Sequence, residues 1–179
     1  FVSGFIERTR ALRVGDPFDP STDMGPMIRG DLRQKLQAQV DQSLALGAEL
    51  KLGGTVPEGP GYFYPPTILD HVRPGMPAFN EETFGPLAAL IRAENESDAL
   101  ALANASSYGL GASLWTRAPE TLERLSSSLE CGMVFVNAMT GSHPEVPFGG
   151  IKHSGFGREL GRAGLMEFVN MKTVWIKVG

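Results

Sequence analysis

Cysteine is nearly absent from this sequence: Cys131 is the single one among 179 residues. A lone thiol cannot close an internal disulfide, so the fold must rest on its core, and a reducing, cytoplasmic location is expected. Long apolar runs are missing as well. The longest are strand-sized, such as Met133 to Val136, far short of the roughly 20 residues a membrane helix needs, so no membrane partner is expected. No basic run stands out: sixteen Lys and Arg against twenty Asp and Glu leave a formal charge of -4. That balance offers no footprint for a phosphate backbone and argues against nucleic acid. The three histidines, His71, His143 and His153, show neither i, i+4 nor Cys-paired spacing, so no metal site is expected. Internal repeats and low-complexity tracts are absent too.

What is present is ordinary globular material, 42% hydrophobic and 20% charged, enough for one compact α/β unit. Phe1, Phe5, Ile6 and Leu12 share a helical face with no cap and no initiator methionine before it, so the chain is expected to begin inside or just before a helix of something longer. Turn chemistry follows at 15–20. Asp31 with Gln34 reads as a capped start for a helix carrying Leu32, Leu36, Val40 and Leu44, stopped by Gly47. A short strand is predicted over 48–52, then a Gly- and Pro-rich surface excursion to Pro66.

The next round is an apolar strand over 87–91, a helix over 97–105 capped by Asn95 or Ser97, and a strand over 111–115. A helix opened by Pro119 follows, with Leu122, Leu125 and Leu129 inward. The stretch 131–137 is the most continuously apolar, which suits a strand covered on both faces. After a polar loop and the Gly-rich 149–157 come a helix near 159–170 and a final segment in which Val174, Ile176 and Val178 alternate with Trp175 and Lys177. The alternation predicts an α/β fold: a mostly parallel sheet with flanking helices over 1–170, and a terminal strand over 171–179 able to pair with another sheet.

Several tempting motifs fail on chemistry. Adjacent Ser142 and His143 rarely present nucleophile and base to each other. Gly155, Gly157 and Gly161 have G-x-G-x-x-x-G spacing with no strand leading in, so they read as a tight backbone turn rather than a dinucleotide loop. Cys131 reads as a small buried hydrophobe at the head of a strand rather than a nucleophile. Two stretches resist dismissal. In 80–87 an acid, an aromatic ring, Gly and Pro stand together before a strand, where a carboxylate could accept hydrogen bonds from a ribose diol while a ring packs on a flat heterocycle. In 137–159 an apolar strand ends in a polar loop, the place where α/β proteins put ligands.

Taken together, Glu82-Thr83-Phe84-Gly85-Pro86, then Asn104 with Tyr108-Gly109-Leu110, then Asn137, then Pro147-Phe148-Gly149-Gly150 and Ser154-Gly155-Phe156-Gly157-Arg158-Glu159 resemble the aldehyde dehydrogenase superfamily. The likeness covers the whole chain but only the rear portion of a typical member. Within the superfamily, Gly25-Pro26-Met27, Leu129 through Gly132 and Ser154 through Trp175 are most similar to NAD(P)-dependent succinate-semialdehyde dehydrogenases.

The resemblance implies that Glu82 binds the nicotinamide ribose of NAD or NADP and that Phe84 packs near the nicotinamide ring. It further implies that Phe148 lines the aldehyde tunnel and that Ser142 helps hold the distal carboxylate of the substrate. Glu159 corresponds to a carboxylate linked to proton movement, Arg158 to a structural residue near a subunit contact, and Asn137 would close the end of the sheet. Separately from the resemblance, the apolar edge of Val174, Ile176 and Val178 predicts a homo-oligomer joined through the C-terminal strand. The family's Gly-rich block with the nucleophilic cysteine, its acid-base Glu and its nucleotide fold have no counterpart here, so the chain alone is expected to be inactive. The competing expectation is a non-catalytic structural or assembly module built on the same fold.

Overall fold

A computed structural model describes residues 1–179, which form two compact units, Phe1–Ala93 and Glu94–Gly179. The first opens with helix α1 (Val2–Arg10), carrying Arg8 and Arg10 in its last turn, where their charges suit the carbonyl end of the helix. The connection to α2 (Gly30–Ala45) is held by its own aspartates: the Phe18 N–H donates to Asp16 and the Ser21 N–H to Asp19. Asp31 does not cap α2 as expected; its carboxylate instead takes a two-point contact from Arg29, at 2.9 and 2.5 Å. The buried stripe of α2 is Leu36, Gln39, Val40 and Ser43, so the expected apolar face is half polar.

Strand β1 (Glu49–Leu52) pairs antiparallel with β2 (Thr67–Val72), and β2 pairs parallel with β3 (Leu87–Ile91). The core of the unit gathers here: Val40, Ala48, Leu69, Val72, Met76 and Ala78, with Leu44, Phe79, Leu87 and Ala89 against them. Asp70 is buried on β2, and Arg92 donates to both its carboxylate oxygens, at 3.0 and 2.5 Å. The Arg92 guanidinium, with the His71 N–H, holds the Asp70 carboxyl below the usual carboxylate range against the opposing effect of burial, so the pair stays ionised where ordinary carboxylates protonate. A short helix, α3 (Pro77–Asn80), leads from β2 toward the segment before β3.

In the second unit, α4 (Glu96–Asn104) has the expected cap: the Asp98 N–H donates to the Asn95 side chain at 3.0 Å, and the Glu94 N–H donates back to Asp98 at 2.9 Å. Strand β4 (Tyr108–Gly109) pairs antiparallel with β7 (Ile151–Lys152). Strand β5 (Gly111–Leu114) and β6 (Met133–Val136) pair parallel through the crossover helix α5 (Pro119–Ser128), whose Leu125 is buried. Glu96 pairs with Arg124, joining α4 to α5. The last helix, α6 (Gly161–Met166), is shorter than the expected 159–170.

The fold is mixed α/β, and it departs from the single mostly parallel sheet expected. There are three small sheets, with parallel pairing in β2–β3 and β5–β6 and antiparallel pairing in β1–β2 and β4–β7. The strand buried on both faces is β2, not the more apolar β6, which is half-buried. Asp70 and His71 interrupt the apolar run of β2, and Pro65 and Pro66 precede it, so its pattern resembles a loop. Residues 171–179 form no strand within this chain, and Val174, Ile176 and Val178 are 70%, 79% and 86% exposed.

Candidate active site

The candidate residues fall on both units, and each group is built within its own. In the first unit, Glu82 and Phe84 lie in the irregular segment between α3 and β3. This segment is pinned from α2. The Gln39 amide donates to the Glu81 carboxylate at 2.8 Å and to the Glu82 carbonyl at 3.2 Å. Gly85 sits directly over Leu36, where a β-carbon would lie 2.5 Å from Leu36 Cδ2, so a larger residue would have to push that side-chain end aside. Held in this way, the Glu82 side chain is exposed and has no hydrogen-bond or ion-pair partner within the chain, and the Phe84 ring is 62% exposed. A free carboxylate and a free aromatic face two residues apart fit a diol and a flat heterocycle. Sequence reasoning singled out Glu82 and Phe84 but missed Gln39 and Ser43, whose buried positions on α2 were hidden by attention to its apolar residues alone.

In the second unit, the structure brings Phe148 and Glu159 together. Each donates its backbone N–H to the other's carbonyl at 2.7 Å, so the two residues sit side by side across an isolated antiparallel bridge. Phe148 is half-buried and Glu159 exposed. Arg158 steadies this pair, donating to the carbonyls of Gly150 at 2.9 Å and Gly157 at 2.7 Å. The Gly161 N–H donates to the Pro144 carbonyl at 3.0 Å, which ties the start of α6 to the polar loop. Ser142 is exposed in that loop and makes no hydrogen bond. The His143 ring lies against Phe135, with centroids 6.2 Å apart. That loop arches over the side chains of β6 and leaves an open cavity of about 580 Å³ lined by Met133, Phe135, His143, Glu145 and Pro147.

Asn137, in left-handed backbone at φ 52, closes the sheet end. Its side chain accepts from the Thr116 N–H at 3.0 Å and donates to the Thr116 carbonyl at 2.9 Å, imitating one more rung of the parallel ladder. The remaining motif residues are latches. Asn104 accepts from the Glu130 N–H at 2.8 Å and donates to the Ser128 carbonyl at 2.9 Å, and Ser154 accepts from the Gly109 N–H at 3.0 Å. Cys131 is half-buried and its thiol donates to the Met133 carbonyl at 3.1 Å, a scaffold placement.

Comparison with known proteins decides the family. The aldehyde dehydrogenase family model matches residues 1–174. The chain belongs to the aldehyde dehydrogenase family. Among relatives in this family, a protein named probable succinate-semialdehyde dehydrogenase (NADP(+)) from Synechocystis sp. is 51% identical over 98% of this chain and 39% of that protein. A succinate-semialdehyde dehydrogenase (NADP(+)) from Mycobacterium avium is 46% identical over 98% of this chain and 37% of its own length. Of the solved structures, Gox0499 superposes with a TM-score of 0.93 at 40% identity, covering 98% of this chain and 39% of the other. Betaine aldehyde dehydrogenase from Staphylococcus aureus, in complex with NAD+, superposes with a TM-score of 0.88 at 34% identity, covering 93% and 34%. The chain therefore spans well under half the length of the family members it matches, 39% of the Synechocystis protein.

Proposed function

We propose that this chain is part of an NAD(P)-dependent aldehyde dehydrogenase that oxidises succinate semialdehyde to succinate. The observation that carries the reading is the pinned loop presenting an unpartnered Glu82 and an exposed Phe84, in a chain half identical to proteins named for that activity. Glu82 accepts hydrogen bonds from the ribose hydroxyls of the cofactor, and Phe84 offers its ring to the nicotinamide face. When bound, the cofactor supplies the hydride acceptor. Phe148 lines the aldehyde path and orients the substrate chain. Beside it, Glu159 handles a proton at its carboxylate when water is consumed and the acid released. Ser142 donates its hydroxyl to the distal carboxylate, a charge-assisted hydrogen bond. Two relatives carry NADP(+) in their names, so NADP+ is the cofactor to assay first. The location consistent with this reading is the cytoplasm; no helix is long and apolar enough to cross a membrane.

The test is steady-state kinetics of the complete protein carrying this chain, with succinate semialdehyde set against uncharged butanal. Succinate semialdehyde is expected to be the better substrate, and Ser142→Ala to raise its KM about fivefold while leaving the KM for butanal unchanged. Residues 1–179 alone are expected to reduce no NADP+, since the one thiol is held in the scaffold. No turnover by the complete protein with any aldehyde would favour the assembly-module reading instead.

The exposed apolar tail supports a further part of the proposal, that residues 171–179 pair as a strand with a second copy in a homo-oligomer. Deleting 171–179 from the complete protein is expected to lower the mass measured by sedimentation. An unchanged mass would place the interface elsewhere.

A further inference from the structure

We propose that Gln39 is a positioning residue for the cofactor loop, setting from the buried face of α2 how Glu82 and Phe84 are presented. The inference rests on the reading of those two residues as cofactor contacts.

Gln39 is only 4% exposed, unusual for a glutamine, and a buried amide is retained at a cost unless it has partners. The hydrogen-bond partners of its Nε2 both belong to the loop: the Glu81 carboxylate at 2.8 Å and the Glu82 carbonyl at 3.2 Å. Neither bond is made to the backbone of α2, so they serve the loop rather than the helix. They also belong to a series. One turn earlier, Leu36 lies under Gly85, and one turn later the Ser43 hydroxyl donates to the Gln39 carbonyl at 2.7 Å and accepts from the Ala78 N–H at 3.0 Å.

As α2 advances through Leu36, Gln39 and Ser43, the opposing segment therefore runs backward through Gly85, Glu82 with Glu81, and Ala78. An apolar stripe would bury similar area but would let the segment slide, because apolar contacts are non-directional. The amide fixes its register at the residue whose side chain is free. An effect on cofactor affinity thus follows from a residue that never touches the cofactor.

The test compares three variants of the complete protein. Gln39→Met keeps volume but cannot donate, so it removes both bonds, and Glu81→Ala removes the shorter of the two from the exposed side, so a readout remains if the buried substitution fails to fold. Glu82→Gln is the reference for the cofactor contact itself. Gln39→Met and Glu81→Ala are each expected to raise the KM for NADP+ about tenfold with kcat within about twofold and the aldehyde KM unchanged, a split that general loosening would not give. If Glu82→Gln raises the KM for NADP+ and neither tether variant does, the positioning role is overturned while the Glu82 contact stands. If Glu82→Gln leaves it unchanged, the underlying reading fails and takes this inference with it.

Discussion

Gly132→Ala is expected to cost about 3 kcal/mol of folding stability, the upper end for overpacking, because the added methyl meets backbone, which cannot rotate away. A β-carbon at Gly132 would overlap the Gly149 carbonyl oxygen and lie 2.8 Å from Gly149 C and 2.9 Å from Gly150 Cα. The head of β6 and the segment that carries Phe148 thus touch main chain to main chain, and the Gly132 N–H also donates to the Gly109 carbonyl at 3.0 Å. Opening that contact displaces Gly149, and with it the adjoining Phe148 and its bridge to Glu159. For a chain of this size the loss corresponds to a melting temperature lower by roughly 10 °C, measured by circular dichroism. Gly4→Ala is the control: Gly4 lies in α1 with nothing within 4 Å of an added β-carbon, and alanine in a helix is favoured by about 0.5 kcal/mol. Equal melting temperatures for Gly132→Ala and the unaltered chain would show that the close approach is not a constraint.

The distance along the chain between interacting residues separates what is legible in this sequence from what is not. Helix α4 and its Asn95 cap, the Pro119 start of α5 and the apolar β6 are local patterns, set by residues a turn or two apart, and they can be read directly. Strand β2 escapes such reading because its polar Asp70 is satisfied by Arg92, twenty-two positions away, so its burial depends on a partner no local window contains. The pairing of β1 with β2 is equally non-local, which is how a mostly parallel expectation meets a mixed sheet.

At the site, Glu82, Phe84, Phe148 and Glu159 stand out because their residue types suit ligands and their order resembles a known family. The backbone bridge that seats Phe148 beside Glu159 has no signature in either residue. Gln39 and Ser43 look like ordinary exposed helix residues until the loop they hold is seen against them. Gly155, Gly157 and Gly161 are legible as a tight backbone turn, whereas the packing of Gly149 and Gly150 on Gly132 is not.

Glu82 bears most directly on the claim that this chain contributes the cofactor side of an aldehyde dehydrogenase. Its carboxylate is exposed and unpartnered, so Glu82→Gln disturbs no internal contact and is expected to leave stability within about 0.5 kcal/mol. A ribose diol facing it would lose charge-assisted hydrogen bonds, which are about twice as strong as neutral ones. The decisive measurement is the KM for NADP+ of the complete protein with and without Glu82→Gln, at saturating succinate semialdehyde. A rise of about tenfold or more with an unchanged melting temperature is the predicted result, and an unchanged KM would contradict the account.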